Sequence, residues 1–394
     1  MSRVTIANYL GAALSDRLSG HASQPRLLPI PANRPPWEVP AEAEILITSP
    51  SLGWKDAPSQ RPDGWPRALK WIQLSSTGID TFPTWLLEGP MVTCSRGLSA
   101  VPIAEYVMAA ILENEKRLSE NQIRDAAQWR PQVLGLVAGK TIGLFGFGTI
   151  GQEIARRARA FGMTVMAHRR VMPHESVADV TFQPTLTALL AAADYLVLAA
   201  PLTSATLRII NADTLRHAKP GMHLINVARG PLVDHQALLA ALDDHLLSGA
   251  TLDVTDPEPL PPGHPLYTHP AVRITPHVSY SSEKHFDRLA DMIVANLDHY
   301  LAGRPLTGLV DMTVGYRTDA AAHGSPCRLP SAAAQALSRF LAEQYLHQFR
   351  HLDSNRRRHL ADDIAHPAQR HGGDDPDRHD PARDHLLPAG GNPF

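Results

Sequence analysis

A six-residue glycine pattern in one particular setting constrains this chain more than any other feature. Gly146-Phe147-Gly148-Thr149-Ile150-Gly151 follows the apolar run Ile142-Gly143-Leu144-Phe145 and opens a helical stretch, Gln152–Arg159. On its own G-x-G-x-x-G is weak evidence, but between a strand and a helix it is what a dinucleotide phosphate loop requires. Gly146 permits the tight turn, Gly148 lets the backbone approach a pyrophosphate, and Gly151 lets the helix pack on the strand. The helix N-terminus, reached through Thr149 and Ile150, then offers unpaired N–H groups and a positive dipole end to the phosphates.

The surrounding chain repeats this strand–helix alternation. Apolar segments at Val4–Asn8, Ile45–Ser49, Trp71–Leu74, Thr141–Phe145, Thr164–Ala167, Tyr195–Ala199, His223–Val227, Ala250–Val254 and Val272–Ile274 read as strands. Ile103–Arg117, Gly151–Phe161, Leu186–Ala192 and His235–Ser248 read as helices between them. Nearly continuous apolar strands separated by helices imply parallel sheets covered on both faces. The fold expected is therefore α/β, with two doubly wound parallel-sheet domains. Ile103–Arg117 serves as the connector, and Gly139-Lys140 starts the second unit.

Composition narrows the function. The chain has 394 residues, 44% of them hydrophobic, so it can bury a sizeable core. Lys plus Arg number 37 against 39 Asp plus Glu, a net charge of −2. That balance argues against a nucleic-acid partner, whose phosphates demand a basic surface. No run of 18 apolar residues predicts a membrane span, and Met1–Leu10 lacks the basic-then-apolar pattern of a signal peptide. Two cysteines, Cys94 and Cys327, build no disulfide framework, so a cytoplasmic location is expected. Cys94 has no nearby basic activator and reads as inert. His347 and His351 are four apart, with no Glu between them and no third ligand, so no metal site is expected.

The strand after the glycine loop ends Ala167-His168-Arg169-Arg170, and no Asp or Glu occurs between Glu153 and Glu175. An acid about 20 residues on is the usual partner of the ribose 2′-OH of NAD. Two guanidiniums in its place suit a 2′-phosphate by charge and bidentate geometry. NADP(H) is therefore expected over NAD(H), which stays possible.

Three further segments follow strands: Asn226-Val227-Ala228-Arg229-Gly230, Leu252-Asp253-Val254-Thr255-Asp256-Pro257-Glu258-Pro259, and Thr275-Pro276-His277-Val278-Ser279. Ligands of open α/β sheets bind at the carboxyl ends of strands, where Arg229, Glu258 and His277 could converge. In this order the motifs resemble the D-isomer-specific 2-hydroxyacid dehydrogenases. The likeness runs from about Trp71 to about Tyr316 and includes Ser76-Thr77-Gly78-Ile79-Asp80 and Pro102-Ile103-Ala104-Glu105-Tyr106. The Arg169-Arg170 pair is similar to the glyoxylate/hydroxypyruvate reductase branch, which prefers NADPH.

The resemblance implies His277 as general acid to the carbonyl oxygen, Glu258 as its hydrogen-bonded partner, and Arg229 as the group that binds the substrate carboxylate. Glu258 is chosen over Asp256 because the family places this acid immediately before Pro259. Thr77 and Gly78 complete the carboxylate cradle, Asp253 binds the nicotinamide carboxamide, and Pro201 and Ala228 touch the cofactor. The implied reaction reduces a small 2-keto acid to the D-2-hydroxy acid, in a homodimer paired through the nucleotide domain. The implied domains are a flavodoxin-like substrate domain (1–102 and 285–316) with a Rossmann-type nucleotide domain (103–284) inserted in it. Two alternatives stay open: an NAD-dependent dehydrogenase of another 2-hydroxy acid, such as a phosphoglycerate, or a nucleotide-sensing corepressor-type binding protein on the same fold.

The chain departs from the family pattern at both ends. Pro29-Ile30-Pro31 through Pro40 leaves little room for the usual helix between the second and third strands. After Tyr316 there is no Lys, and 8 of the 20 His are found there. Residues 317–394 are expected to be largely disordered, with one helix allowed near Leu337–Leu352. A regulatory extension and an out-of-frame or read-through product are equally compatible with that composition.

Overall fold

The structure is a computed structural model that describes residues 3–30, 34–171 and 176–310. The expected tail at 317–394 lies outside the described residues. Two parallel sheets organise the rest.

The first sheet comprises β1 (Thr5–Asn8), β2 (Arg26–Leu28), β3 (Ile45–Thr48), β4 (Trp71–Leu74) and β5 (Met91–Thr93), in the order β2-β1-β3-β4-β5. Its strands send alternate side chains to opposite faces. Val4, Ile6, Ile45, Ile47 and Trp71 pack under two helices, α1 (Ala12–Ser19) and a later one, α7, spanning His285–Leu301. Ala7, Leu46, Ile72, Leu74 and Val92 face an aromatic layer that includes Trp54, Trp65 and Trp85, carried by irregular chain and short 3-10 turns. No helix occurs among the described residues between β2 and β3, in line with the proline-rich sequence there. Past α7 the chain closes this sheet: Val310 N–H donates to Val92 O at 2.9 Å, beside an antiparallel bridge from Thr93 to Leu309.

The second sheet has seven strands: β6 (Thr141–Phe145), β7 (Thr164–His168), β8 (Thr181–Phe182), β9 (Tyr195–Leu198), β10 (Met222–Asn226), β11 (Leu247–Leu252) and β12 (Val272–Ile274). Their order is β12-β11-β10-β9-β6-β7-β8, all parallel, so the order reverses between β6 and β9. That reversal opens a crevice at the carboxyl ends of the strands. On one face Tyr195 and Val197 pack with α2 (Ala100–Lys116) and α3 (Thr149–Ala160). On the other, Leu196 and Leu198 pack with α4 (Leu186–Ala192), α5 (Ala212–Leu215) and α6 (His235–Asp243). The expected α/β class with two doubly wound sheets is the architecture observed. One expected element was too long: the helix from His235 ends at Asp243 rather than Ser248, because Leu247 already begins β11.

A buried polar chain fastens α7 to the first sheet. Trp71 Nε1 donates to Thr93 Oγ1 (2.8 Å), which donates to Gln73 Oε1 (2.8 Å); Asn296 Nδ2 donates to that same oxygen at 3.1 Å. Asn296 also donates to Thr307 O (3.0 Å) and accepts from Thr307 N–H (2.8 Å), which holds the returning segment. Asn296→Ala breaks all three of its bonds and leaves polar groups behind in a buried setting. It should cost about 2 kcal/mol, read as a lower urea midpoint with an unchanged slope.

Candidate active site

The glycine loop lies at the β6/β9 reversal. Gly146 adopts φ +104°, and its N–H donates to His168 O at 2.9 Å. A β-carbon there would stand 2.7 Å from the Ala199 carbonyl and the Ala200 nitrogen, so only glycine fits. A β-carbon on Gly151 would meet Gly146 O at 2.5 Å, so α3 rests directly on the loop. Gly148 caps α3 without a side-chain acceptor. The first N–H bonded back into the helix is that of Gln152, to Gly148 O at 3.0 Å. The amides of Thr149, Ile150 and Gly151 are thus the helix's outward donors. Arg169 and Arg170 come straight after His168, whose carbonyl holds Gly146; Arg169 is half-buried and Arg170 exposed.

His277 follows β12 with φ +53°, a strained conformation for a side chain of this size. Its N–H donates to Asp253 O (2.8 Å) and Thr275 O (2.9 Å). The imidazole Nδ1 lies 3.1 Å from Glu258 Oε2, and the Thr255 N–H donates to Glu258 Oε1 at 3.2 Å. Burial pushes the Glu258 carboxyl up. The His277 hydrogen bond and charge, the Thr255 amide and the Arg229 guanidinium outweigh it, and the net result lies below the ordinary carboxylate range. With Nδ1 turned to Glu258, Nε2 is left as the outward edge of the ring.

Arg229 follows β10 on a loop held by Asn226, whose side chain accepts from Ala228 N–H (3.1 Å) and donates to Arg229 O (2.8 Å). Its Nε donates to both Asp80 oxygens, at 3.2 and 3.0 Å, and its Nη1 to Ala228 O at 2.7 Å. The remaining Nη2 edge lies against Gly78, where a β-carbon would stand 1.6 Å away. Gly230 presses on the Glu258 loop just as closely, a β-carbon there falling 1.9 Å from Thr255 O. Residues from β4, β10, β11 and β12 thereby meet at one place. Among the described residues, no protein acceptor takes the Thr77 or Gly78 amide.

Three residues expected at the cofactor make the following contacts within the chain. Asp253 is 1% exposed and accepts from Thr275 Oγ1 (2.6 Å), Val278 N–H (2.9 Å) and Ser279 N–H (2.9 Å). A buried carboxylate needs such donors, and these tie it to the His277 loop. Ala228 has both backbone groups engaged inside its own loop. Pro201 is exposed, its carbonyl accepting from Thr206 Oγ1 at 2.8 Å.

Residues 107–279 match the family model described as D-isomer specific 2-hydroxyacid dehydrogenase, NAD binding domain. A glycerate dehydrogenase of Methylorubrum extorquens is 40% identical over 67% of this chain and 84% of its own length. A glyoxylate reductase of Thermofilum pendens is 34% identical over 62% and 76%. The crystal structure of an NADPH-dependent glyoxylate/hydroxypyruvate reductase from Sinorhizobium meliloti, in complex with NADP and sulfate, superposes with TM-score 0.65 at 26% identity, covering 80% of this chain and all of that one. This chain belongs to the D-isomer-specific 2-hydroxyacid dehydrogenase family.

As a member of this family it is an NAD(P)-dependent oxidoreductase, and the glycine loop fits such a dinucleotide: bare backbone at Gly146 and Gly148 leads into outward amides at the start of α3. The same site includes residues that sequence reasoning passed over. Asp80 was visible only as part of a loop, yet it orients Arg229. Tyr106 was visible only as part of a helix start, yet its hydroxyl lies 2.6 Å from Thr275 Oγ1 and so reaches the Asp253 cluster. Gly78→Ala isolates the Arg229 placement, because the clash falls on the far end of a flexible side chain, which can move aside. The variant should melt within a few degrees of the parent while kcat/KM falls by about 100-fold.

Proposed function

We propose that this chain reduces a small 2-keto acid of the glyoxylate or hydroxypyruvate type to the D-2-hydroxy acid, with NADPH as the preferred reductant. The observation that carries the reading is the His277–Glu258 hydrogen bond at 3.1 Å, within reach of the Arg229 charge. It supports reading His277 as the proton donor, Glu258 as its partner and Arg229 as the anchor for a carboxylate. In this reading Arg229 Nη2, with the Thr77 and Gly78 amides, binds the substrate carboxylate, and Asp80 fixes the guanidinium. His277 Nε2 gives its proton to the carbonyl oxygen, and Glu258 holds the imidazole in place through Nδ1. The bound dinucleotide supplies the hydride. Gly146, Gly148, Thr149, Ile150 and Gly151 hold its pyrophosphate, while Arg169 and Arg170 take the 2′-phosphate. The relatives named glyoxylate reductase and the NADP complex of the Sinorhizobium enzyme support this choice of substrate and cofactor.

The domains follow from the same reading: residues 1–102 with 285–316 as the substrate domain, 103–284 as the nucleotide domain. We take the protein as a homodimer of the cytoplasm. The exposed apolar segment after α2 supports the pairing, with Trp129 80% and Val133 90% exposed beside Leu118 and Leu136. Among the described residues no helix is long and apolar enough to cross a membrane.

Initial rates with glyoxylate and hydroxypyruvate, each with NADPH and NADH, test the proposal. NADPH should win, and Arg169→Ala with Arg170→Ala should raise the KM for NADPH at least about tenfold more than that for NADH. An NADH preference in the parent, or equal effects on both cofactors, overturns the NADPH assignment. No turnover of any 2-keto acid favours the binding-protein reading.

His277→Ala should lower kcat by about 1,000-fold and leave NADPH binding intact. The pH dependence follows from Glu258. Its carboxyl is depressed, so it stays ionised through the ordinary carboxylate range and takes up a proton only as pH falls through the lowered value. Reduction should therefore hold its rate on the acid side through the ordinary carboxylate range, and Glu258→Gln should slow it across the neutral range.

A further inference from the structure

We propose that Arg96 is a cofactor-binding residue supplied by the substrate domain, taking the pyrophosphate of the dinucleotide and making the substrate cradle depend on it. Arg96 lies in the short turn between β5 and α2, on the first sheet's side of the molecule. It nevertheless reaches the glycine loop of the second sheet. A β-carbon placed on Gly148 would stand 4.0 Å from Arg96 Nη2, and one placed on Gly97 would stand 3.9 Å from Thr149 Cγ2. The loop Gly146–Gly151 holds no cation of its own, so amides and the helix dipole alone meet the phosphates from below. A guanidinium at that height supplies a full charge and a bidentate donor pair from the opposite side.

The turn that carries Arg96 is also wired to the substrate loop. Ser95 N–H donates to Ser76 O at 2.9 Å, Thr77 Oγ1 donates to Ser95 O at 3.2 Å, and Ser95 Oγ donates to Leu74 O at 2.8 Å. Gly78, next along, bears on Arg229. A dinucleotide that holds Arg96 therefore holds the Thr77–Gly78 cradle through one residue, Ser95. Cofactor and keto acid become coupled ligands, each tightening the other by the same factor. The inference rests on the glycine loop being the dinucleotide site.

The test is equilibrium binding on the full-length chain, followed by the fluorescence of NADPH. Arg96→Gln should raise the NADPH dissociation constant about tenfold. It should change that of adenosine 2′-monophosphate, which lacks the pyrophosphate, by less than about twofold. Arg96→Lys should fall between, and it carries the test if the Gln variant does not fold. Saturating NADPH should tighten binding of oxalate, a dicarboxylate probe of the cradle, in the parent more than in Arg96→Gln. Parent binding of NADPH with no change in either variant overturns this inference and leaves the loop assignment standing. A parent that does not bind NADPH overturns the loop assignment itself.

Discussion

A single buried carboxylate organises the candidate active site. Asp253 is removed from water, and a charge so placed persists only with donors on its oxygens. Its three donors all come from residues 275–279. Satisfying Asp253 therefore folds that loop around it, and the loop in turn pins His277 at φ +53°. The strain of that backbone is compensated locally by the two carbonyls that accept the His277 N–H. The imidazole that faces Glu258 is positioned by a residue that does not touch it with its side chain. Tyr106 extends the support through Thr275 to α2, so the same cluster joins the loop to the helix between the two sheets.

The second constraint is a guanidinium held between chain segments 149 residues apart. Arg229 and Asp80 are both partly exposed, at 28% and 31%, and an ion pair in that setting adds little stability. Its value is directional. Asp80 occupies Nε, the Ala228 carbonyl occupies Nη1, and the Nη2 edge is left against the backbone of Gly78. A side chain at position 78 would fill that gap. The glycine is required by what must approach it, not by its own backbone angles.

Much of this was legible in the sequence, for reasons that differ by element. Strands in the middle of each sheet, such as Ile45–Thr48 and Tyr195–Leu198, are buried on both faces and read as unbroken apolar runs. The three strands that reasoning missed, Arg26–Leu28, Met91–Thr93 and Thr181–Phe182, are all at sheet edges. Two or three residues carry no period, and edges need little apolar surface. The phosphate loop was legible because its glycines answer steric demands within six residues. The Arg229–Asp80 pair was not, because nothing local in either segment reports the other. The bonds that join Asp253 to the 275–279 loop were not legible either, since a motif gives the residue type without its packing partners. Glu258 and Asp256 show the limit from the other side. They differ by two positions, yet only Glu258 meets His277, while the charge of Asp256 acts on His235.

Net charge says little about how this enzyme gathers its ligands. The chain carries −2 overall, yet in the proposed function both ligands are anions, and the groups assigned to them are local. Arg229 stands against Gly78, Arg96 beside the glycine loop, and Arg169 with Arg170 past the next strand, while the opening of α3 adds a dipole of the same sign. Confining positive potential to the crevice draws anions there without making the whole surface basic. It also strengthens each interaction once ligands displace water, because the same charges then act through a lower dielectric. The side chains of His277 and Glu258 are each 42% exposed, so in the absence of ligands this pair stands in contact with solvent. The ligands that bring the charges into play are thus also the ones that dry the site and give those charges their full effect.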